Sequence, residues 1–128
     1  MHKTYNPTTV YPPLSRYSHA VEIPASARRL YISGQLGIMP DGTLAEGFEA
    51  QAEWAWKNLV AILADAGMGV EHIVKYSTFL INADDIAANR SIRDRFLGEN
   101  KPASTLLVIS RLASPDFLIE IELVAAAS

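Results

Sequence analysis

Glu120 and Glu122 stand two residues apart in the apolar run Phe117 to Val124. Side chains alternate along a strand, so Leu118, Glu120, Glu122 and Val124 share one face, while Phe117, Ile119, Ile121 and Leu123 share the other. Two carboxylates on an otherwise apolar strand have two readings. They are either a solvated face opposite a core face, or part of a cleft in which Glu120 acts as a base or orients water. Nucleophilic chemistry has less support, because the hydroxyls of Ser18 and Ser33 have no His and carboxylate at a recognisable spacing. His2, His19 and His72 are far apart and there is no cysteine, so no metal site, disulfide or thiolate chemistry is expected.

The elements that would position Glu120 can be read on either side of it. Thr105 to Ile109 and Phe117 to Val124 read as two strands joined by the turn residues Ala113-Ser114-Pro115-Asp116. Residues 1 to 16 read as loop, broken by Pro7, Pro12 and Pro13. Strands are expected at Tyr17 to Ile23 and at Arg29 to Ser33, with a third short one bracketing the turn Pro40-Asp41-Gly42. From Gly47 to Ala66 the period becomes helical: Phe48, Ala52, Ala55, Trp56, Leu59, Ile62, Leu63 and Ala66 form one stripe, and Gly67 is placed to end it. Trp54 lies off the stripe, which leaves a subunit contact or half-burial under a loop.

Ile73 to Leu80 reads as a central strand. Asp84 or Asp85 is placed to cap a second helix that runs to Leu97 and stops at Gly98. Its stripe is Ile86, Ile92, Phe96 and Leu97, and Asn89 projects into it. A buried Asn amide needs a partner, either the backbone of a neighbouring loop or a ligand. The pattern is an α+β fold in which two helices cover one face of a mixed sheet. Subunit association is the simplest cover for the other face.

Composition bounds the partners. With 128 residues, 49% of them hydrophobic, the chain suits a single domain over 1–128 with one core. The net charge of −3 provides no long-range attraction to nucleic acid or to an anionic membrane, and no apolar run reaches spanning length. Arg28-Arg29 and Arg90/Arg93/Arg95 read as solvated basic spots. No signal-peptide pattern opens the chain, so a cytoplasmic location is expected.

Several stretches in order resemble the reactive-intermediate deaminase (Rid or YjgF) superfamily. Arg16-Tyr17-Ser18-His19-Ala20-Val21 is similar to its N-terminal segment, and Ile32-Ser33-Gly34-Gln35-Leu36-Gly37 to its S-G-Q motif. Glu49-Ala50-Gln51, Lys57-Asn58-Leu59 and Ile62 to Gly67 are similar to its first helix, and Asn89 to the start of its second-helix motif. Pro102-Ala103 and Leu118-Ile119-Glu120-Ile121 are similar to its C-terminal signature. The resemblance implies a chorismate-mutase-like fold with a six-stranded mixed sheet, and a homotrimer with clefts between subunits. It implies cofactor-free hydrolysis of small enamines or imines to carbonyl compounds and ammonia. The implied site is Glu120 as catalytic residue, with Tyr17, Ser33, Gly34, Asn89, Ala103 and Ser104 binding the small-molecule ligand.

One position departs from the family pattern. Where the motif P-[AS]-R-[ST] has a carboxylate-binding Arg, this chain has Ser104. A guanidinium binds a carboxylate through two charge-assisted bonds, whereas Ser offers one neutral hydroxyl. Efficient turnover of 2-imino acids is therefore not expected; the expected substrate is a small imine, enamine or amide without that carboxylate. Arg93 and Arg111 read as surface residues, with rescue of the missing carboxylate anchor by either of them as the alternative. A non-catalytic trimeric binding or regulatory protein is the alternative, and a ribonuclease or translation inhibitor ranks below both because no basic stripe is present.

Overall fold

Alternating Ile119, Ile121 and Leu123 bury one side of the last apolar run, and the sheet is built around that run. The computed structural model describes residues 2–128. In chain order these form β1 (Lys3–Tyr5), β2 (Ala20–Glu22), β3 (Arg28–Leu36), α1 (Phe48–Asp65), β4 (Ile73–Leu80), α2 (Ile86–Leu97), β5 (Ala103–Val108) and β6 (Ile119–Ala127). Short 3-10 turns at Val70–His72 and Ala83–Asp85 lead into β4 and α2. The main sheet has the order β3-β6-β4-β5; β6 is antiparallel to both of its neighbours, while β4 and β5 are parallel. Both helices pack on one face, where Trp56, Leu59, Leu63, Ile92 and Leu97 meet Ile32, Tyr76, Leu80, Ile119, Ile121 and Leu123 in one core.

The expectation of one six-stranded sheet needs correction. Six strands form, but hydrogen bonding divides them into this four-stranded sheet and a separate β1-β2 pair. Residues 3–5 were expected to be loop; they pair with β2, with Thr4 opposite Val21. The first expected strand, Tyr17 to Ile23, shrinks to Ala20–Glu22, because Ser18 instead bonds through its backbone N–H to the Pro102 carbonyl. The short strand around Pro40-Asp41-Gly42 reduces to a single bridge between Ile38 and Leu44, closed by a turn in which Gly42 donates to Met39.

Helix α1 ends as its sequence implies. Gly67 has φ +73°, its N–H bonds to the Ala64 carbonyl, and the Met68 N–H bonds to the Leu63 carbonyl. That is the Schellman arrangement, with buried Met68 packing back on the core. Asp85 stands at the N-cap of α2, but its side chain makes no capping bond. Asn82 caps the preceding 3-10 turn by accepting from the Asp84 N–H at 2.9 Å. Trp54 is half-buried, with the Lys57 ammonium 4.6 Å from its ring centroid.

Two amides on α1 tie the sheet down. Asn58 donates to the carbonyls of Leu36 and Ile38, which holds the end of β3. Buried Gln51 donates to the Asp116 carbonyl at 3.1 Å and accepts from the Leu118 N–H at 2.9 Å, which holds the segment leading into β6. Gly37 permits this close approach, since a Cβ there would strike the backbone of Gln51.

Candidate functional site

Register separates the expected site residues into two groups. Ile121 pairs with Thr78, and both are buried on the helix side, whereas Glu120 pairs with Phe79 on the open side. Tyr76, also buried on the helix side, pairs with Ser104. Glu120 and Ser104 therefore project from opposite faces of one sheet.

On the open face the pairing of β3 with β6 shifts between Ile32 and Gln35, so Ser33 and Gly34 sit in an irregular stretch of β3. There Gly34 lies directly against Glu120; a Cβ built on Gly34 would overlap the Glu120 carboxylate. Only glycine leaves room for that carboxylate to lie across the strand. Ala103 pairs with Lys75 at the beginning of β5 and is half-buried, outside the cavity described next.

On the helix side, a cavity of about 220 Å³ lies between α2, β4, β5 and the N-terminal segment. Tyr17, Asn89 and Ser104 line it together with Ser15, Tyr76, Thr78, Arg90 and Arg93. The N-terminal segment reaches it because Ser18 is fastened at two points: its hydroxyl donates to the Lys101 carbonyl at 2.6 Å and its N–H to Pro102. Tyr17 is braced by the Leu14 N–H, which donates to its hydroxyl, and by an edge-on His19 ring 5.8 Å away.

Arg93 contradicts its sequence assignment. It is only 5% exposed, donates from Nη2 to the Ser15 hydroxyl, and donates from Nε and Nη2 to Asp94. Arg111 keeps the surface role, its guanidinium folded back on the carbonyls of Leu112 and Ala113. Asn89 is 2% exposed and lines this cavity, and no side-chain hydrogen bond of its amide is present among the described residues. Tyr76 is likewise a buried hydroxyl with no well-formed hydrogen bond. Burial pushes its phenol above the ordinary value, against the weaker opposing pull of nearby Ser104 and Arg93, so it stays a neutral donor. Sequence reasoning named Arg93 only as an alternative carboxylate anchor ranked below a surface role; its place four residues after Asn89, hence on the same helix face, is the signal that favoured the site. A larger groove of about 720 Å³ runs beneath β1 and β2, lined by His2, His72 and Lys101, and it contains none of the six binding residues or Glu120.

The family model described as Endoribonuclease L-PSP matches residues 8–127. The chain belongs to this family, the Rid/YjgF superfamily. A RutC family protein of Aquifex aeolicus is 35% identical over 116 residues, which cover 88% of this chain and 90% of that protein. A RutC family protein of Pyrococcus abyssi is 31% identical, covering 88% and 87%. Among solved structures, a protein of the conserved Rid family from Yersinia pestis superposes with TM-score 0.88 at 32% identity, covering 98% of each chain. RidA from an Antarctic Psychrobacter superposes with TM-score 0.75 at 31% identity, covering 98% of this chain and 99% of its own. These Rid neighbours share the α+β architecture of two helices on a mixed sheet. No helix among the described residues is long and apolar enough to cross a membrane.

Proposed function

We propose that this chain is a cofactor-free hydrolase of Rid type, a single domain that assembles as a homotrimer and deaminates a small imine, enamine or amide. The observation that carries the reading is the Glu120 carboxylate lying across Gly34 on the open sheet face. Because Glu120 and the Ser104 cavity project from opposite faces, one copy cannot present both to a ligand; two neighbouring copies can. In this arrangement Glu120 of one subunit holds water against the C=N carbon of a ligand seated in the next subunit's cavity. Water adds its oxygen to carbon and its proton reaches nitrogen by way of the carboxylate. Collapse of the carbinolamine then releases ammonia and leaves the carbonyl. Ser104, Asn89 and Tyr17 supply neutral contacts.

Ser104 in place of Arg favours a second reading, a trimeric binding or regulatory protein that consumes nothing. Ribonuclease activity, named in the family description, has no support in a chain of net charge −3. The test is ammonia release from 2-aminoacrylate and neutral imines generated in situ. Wild type should turn over at least one of them, and Glu120→Gln should lose on the order of 10²-fold or more. A rate independent of Glu120 overturns the proposal. A ligand that raises the melting temperature without being consumed establishes the second reading.

A further inference from the structure

We infer that Arg93, reaching into the cavity from α2, is the anion anchor of this chain, so that the ligand is a small carboxylate despite Ser104. The inference rests on reading the 220 Å³ cavity as the ligand half of the proposed site. The charged residues lining it are two arginines, Arg90 at the exposed rim and Arg93 inside, with no carboxylate among the lining residues. Asp94 neutralises part of this charge from beside the cavity, at 2.8 Å from Arg93 Nη2, but it is shared with Arg16 at 3.8 Å. Two guanidinium groups thus share one carboxylate while Arg90 stands at the rim, and the surplus is positive.

The donors of Arg93 are only partly used. Nε and Nη2 serve Asp94 and Ser15, while Nη1 makes no hydrogen bond among the described residues. One helical turn away on the same face, the buried Asn89 amide is also unpartnered, and its polar atoms are not sealed off as the Tyr76 hydroxyl is. An amide that opens on the cavity is met by water until a ligand displaces it, so it stands ready to bond a ligand there. A carboxylate in the cavity would accept from Arg93 Nη1 and from the Asn89 amide, with the hydroxyls of Ser104 and Tyr76 close by. The cavity volume limits the ligand to a few heavy atoms beyond the carboxylate. The small residue at 104 then has a physical sense: a long cationic side chain there would fill the cavity and repel Arg93.

The experiment is calorimetric titration with pyruvate and its neutral isostere pyruvamide, for wild type, Arg93→Met and Asn89→Leu, alongside 2-aminoacrylate turnover. Wild type should bind pyruvate more tightly than pyruvamide, and high salt should narrow the difference. Arg93→Met should weaken pyruvate binding about 30-fold or more and leave pyruvamide unchanged. Asn89→Leu breaks no internal hydrogen bond, so it tests the same cavity if Arg93→Met folds poorly; it too should weaken pyruvate. Equal affinity for the two ligands, or pyruvate binding and turnover that survive Arg93→Met, overturns the anchor while leaving the hydrolase reading intact. Arg93-dependent pyruvate binding without turnover of any imine keeps the anchor and removes the hydrolase.

Discussion

Gln51→Met separates the contribution of one buried amide from that of its volume. Methionine nearly matches glutamine in size and flexibility, so packing against the core is retained. What disappears is the pair of hydrogen bonds that fastens α1 to residues 116 and 118. The carbonyl of exposed Asp116 can turn to water, so losing that bond is worth about 0.5–1.5 kcal/mol. Leu118 is half-buried, and leaving its N–H unmet costs about 1–3 kcal/mol. The sum is roughly 1.5–4.5 kcal/mol. For a urea m-value of about 2 kcal/mol/M, the unfolding midpoint should fall by roughly 0.7–2.3 M with the slope unchanged. Amide exchange at Leu118 should accelerate out of proportion to the global change, because its protection comes from this bond. A fall below about 0.5 kcal/mol, with Leu118 exchange unaltered, would show that water replaces the side chain at no penalty and would refute the account.

Two further substitutions probe the site itself. Gly34→Ala should fold but push the Glu120 carboxylate aside, lowering turnover of any processed imine by about 10²-fold with little change in ligand affinity; steady-state kinetics at saturating substrate checks it. Tyr76→Phe should leave stability at neutral pH within about 1 kcal/mol, since the hydroxyl it removes makes no well-formed hydrogen bond among the described residues. The same variant should change the alkaline limb. The Tyr76 pKa is raised in the folded state, so wild type loses stability as pH climbs from 10.0, its ordinary value, toward the folded value, and the phenylalanine variant should lose less. Urea titrations at pH 8 and pH 11 measure it.

Periodicity carried the elements whose faces are strongly one-sided. The 3.6-residue stripe of α1, the β-branched and aromatic run of β4 and the alternation in β6 were legible because burial on one side leaves a regular imprint. Edges were less legible. Lys3–Tyr5 carries no hydrophobic pattern, since all three residues are exposed, and only its partner β2 makes it a strand. Asn82 was overlooked as a cap because it serves the 3-10 turn ahead of the helix. In the site, motif order identified Glu120, Gly34, Asn89 and Ser104 as positions of interest. It could not reveal that they divide between two faces, because that depends on cross-strand register. Arg93 was misread for a related reason. Arginine is usually exposed, and nothing local announces that the N-terminal segment, held by Ser18, folds over this one.

The sheet order also governs when this protein can fold. Strand β6 is the last of the four to be synthesised, yet it lies between β3 and β4, which have no other strand to join them. Until residues 119–127 leave the ribosome, α1 and α2 have only half a surface to bury against, and the backbone edges of β3 and β4 face solvent. Folding is therefore late and all-or-none, with every preceding element waiting on one long-range closure. Ribosome-bound chains lacking those nine residues should be protease-sensitive along their whole length.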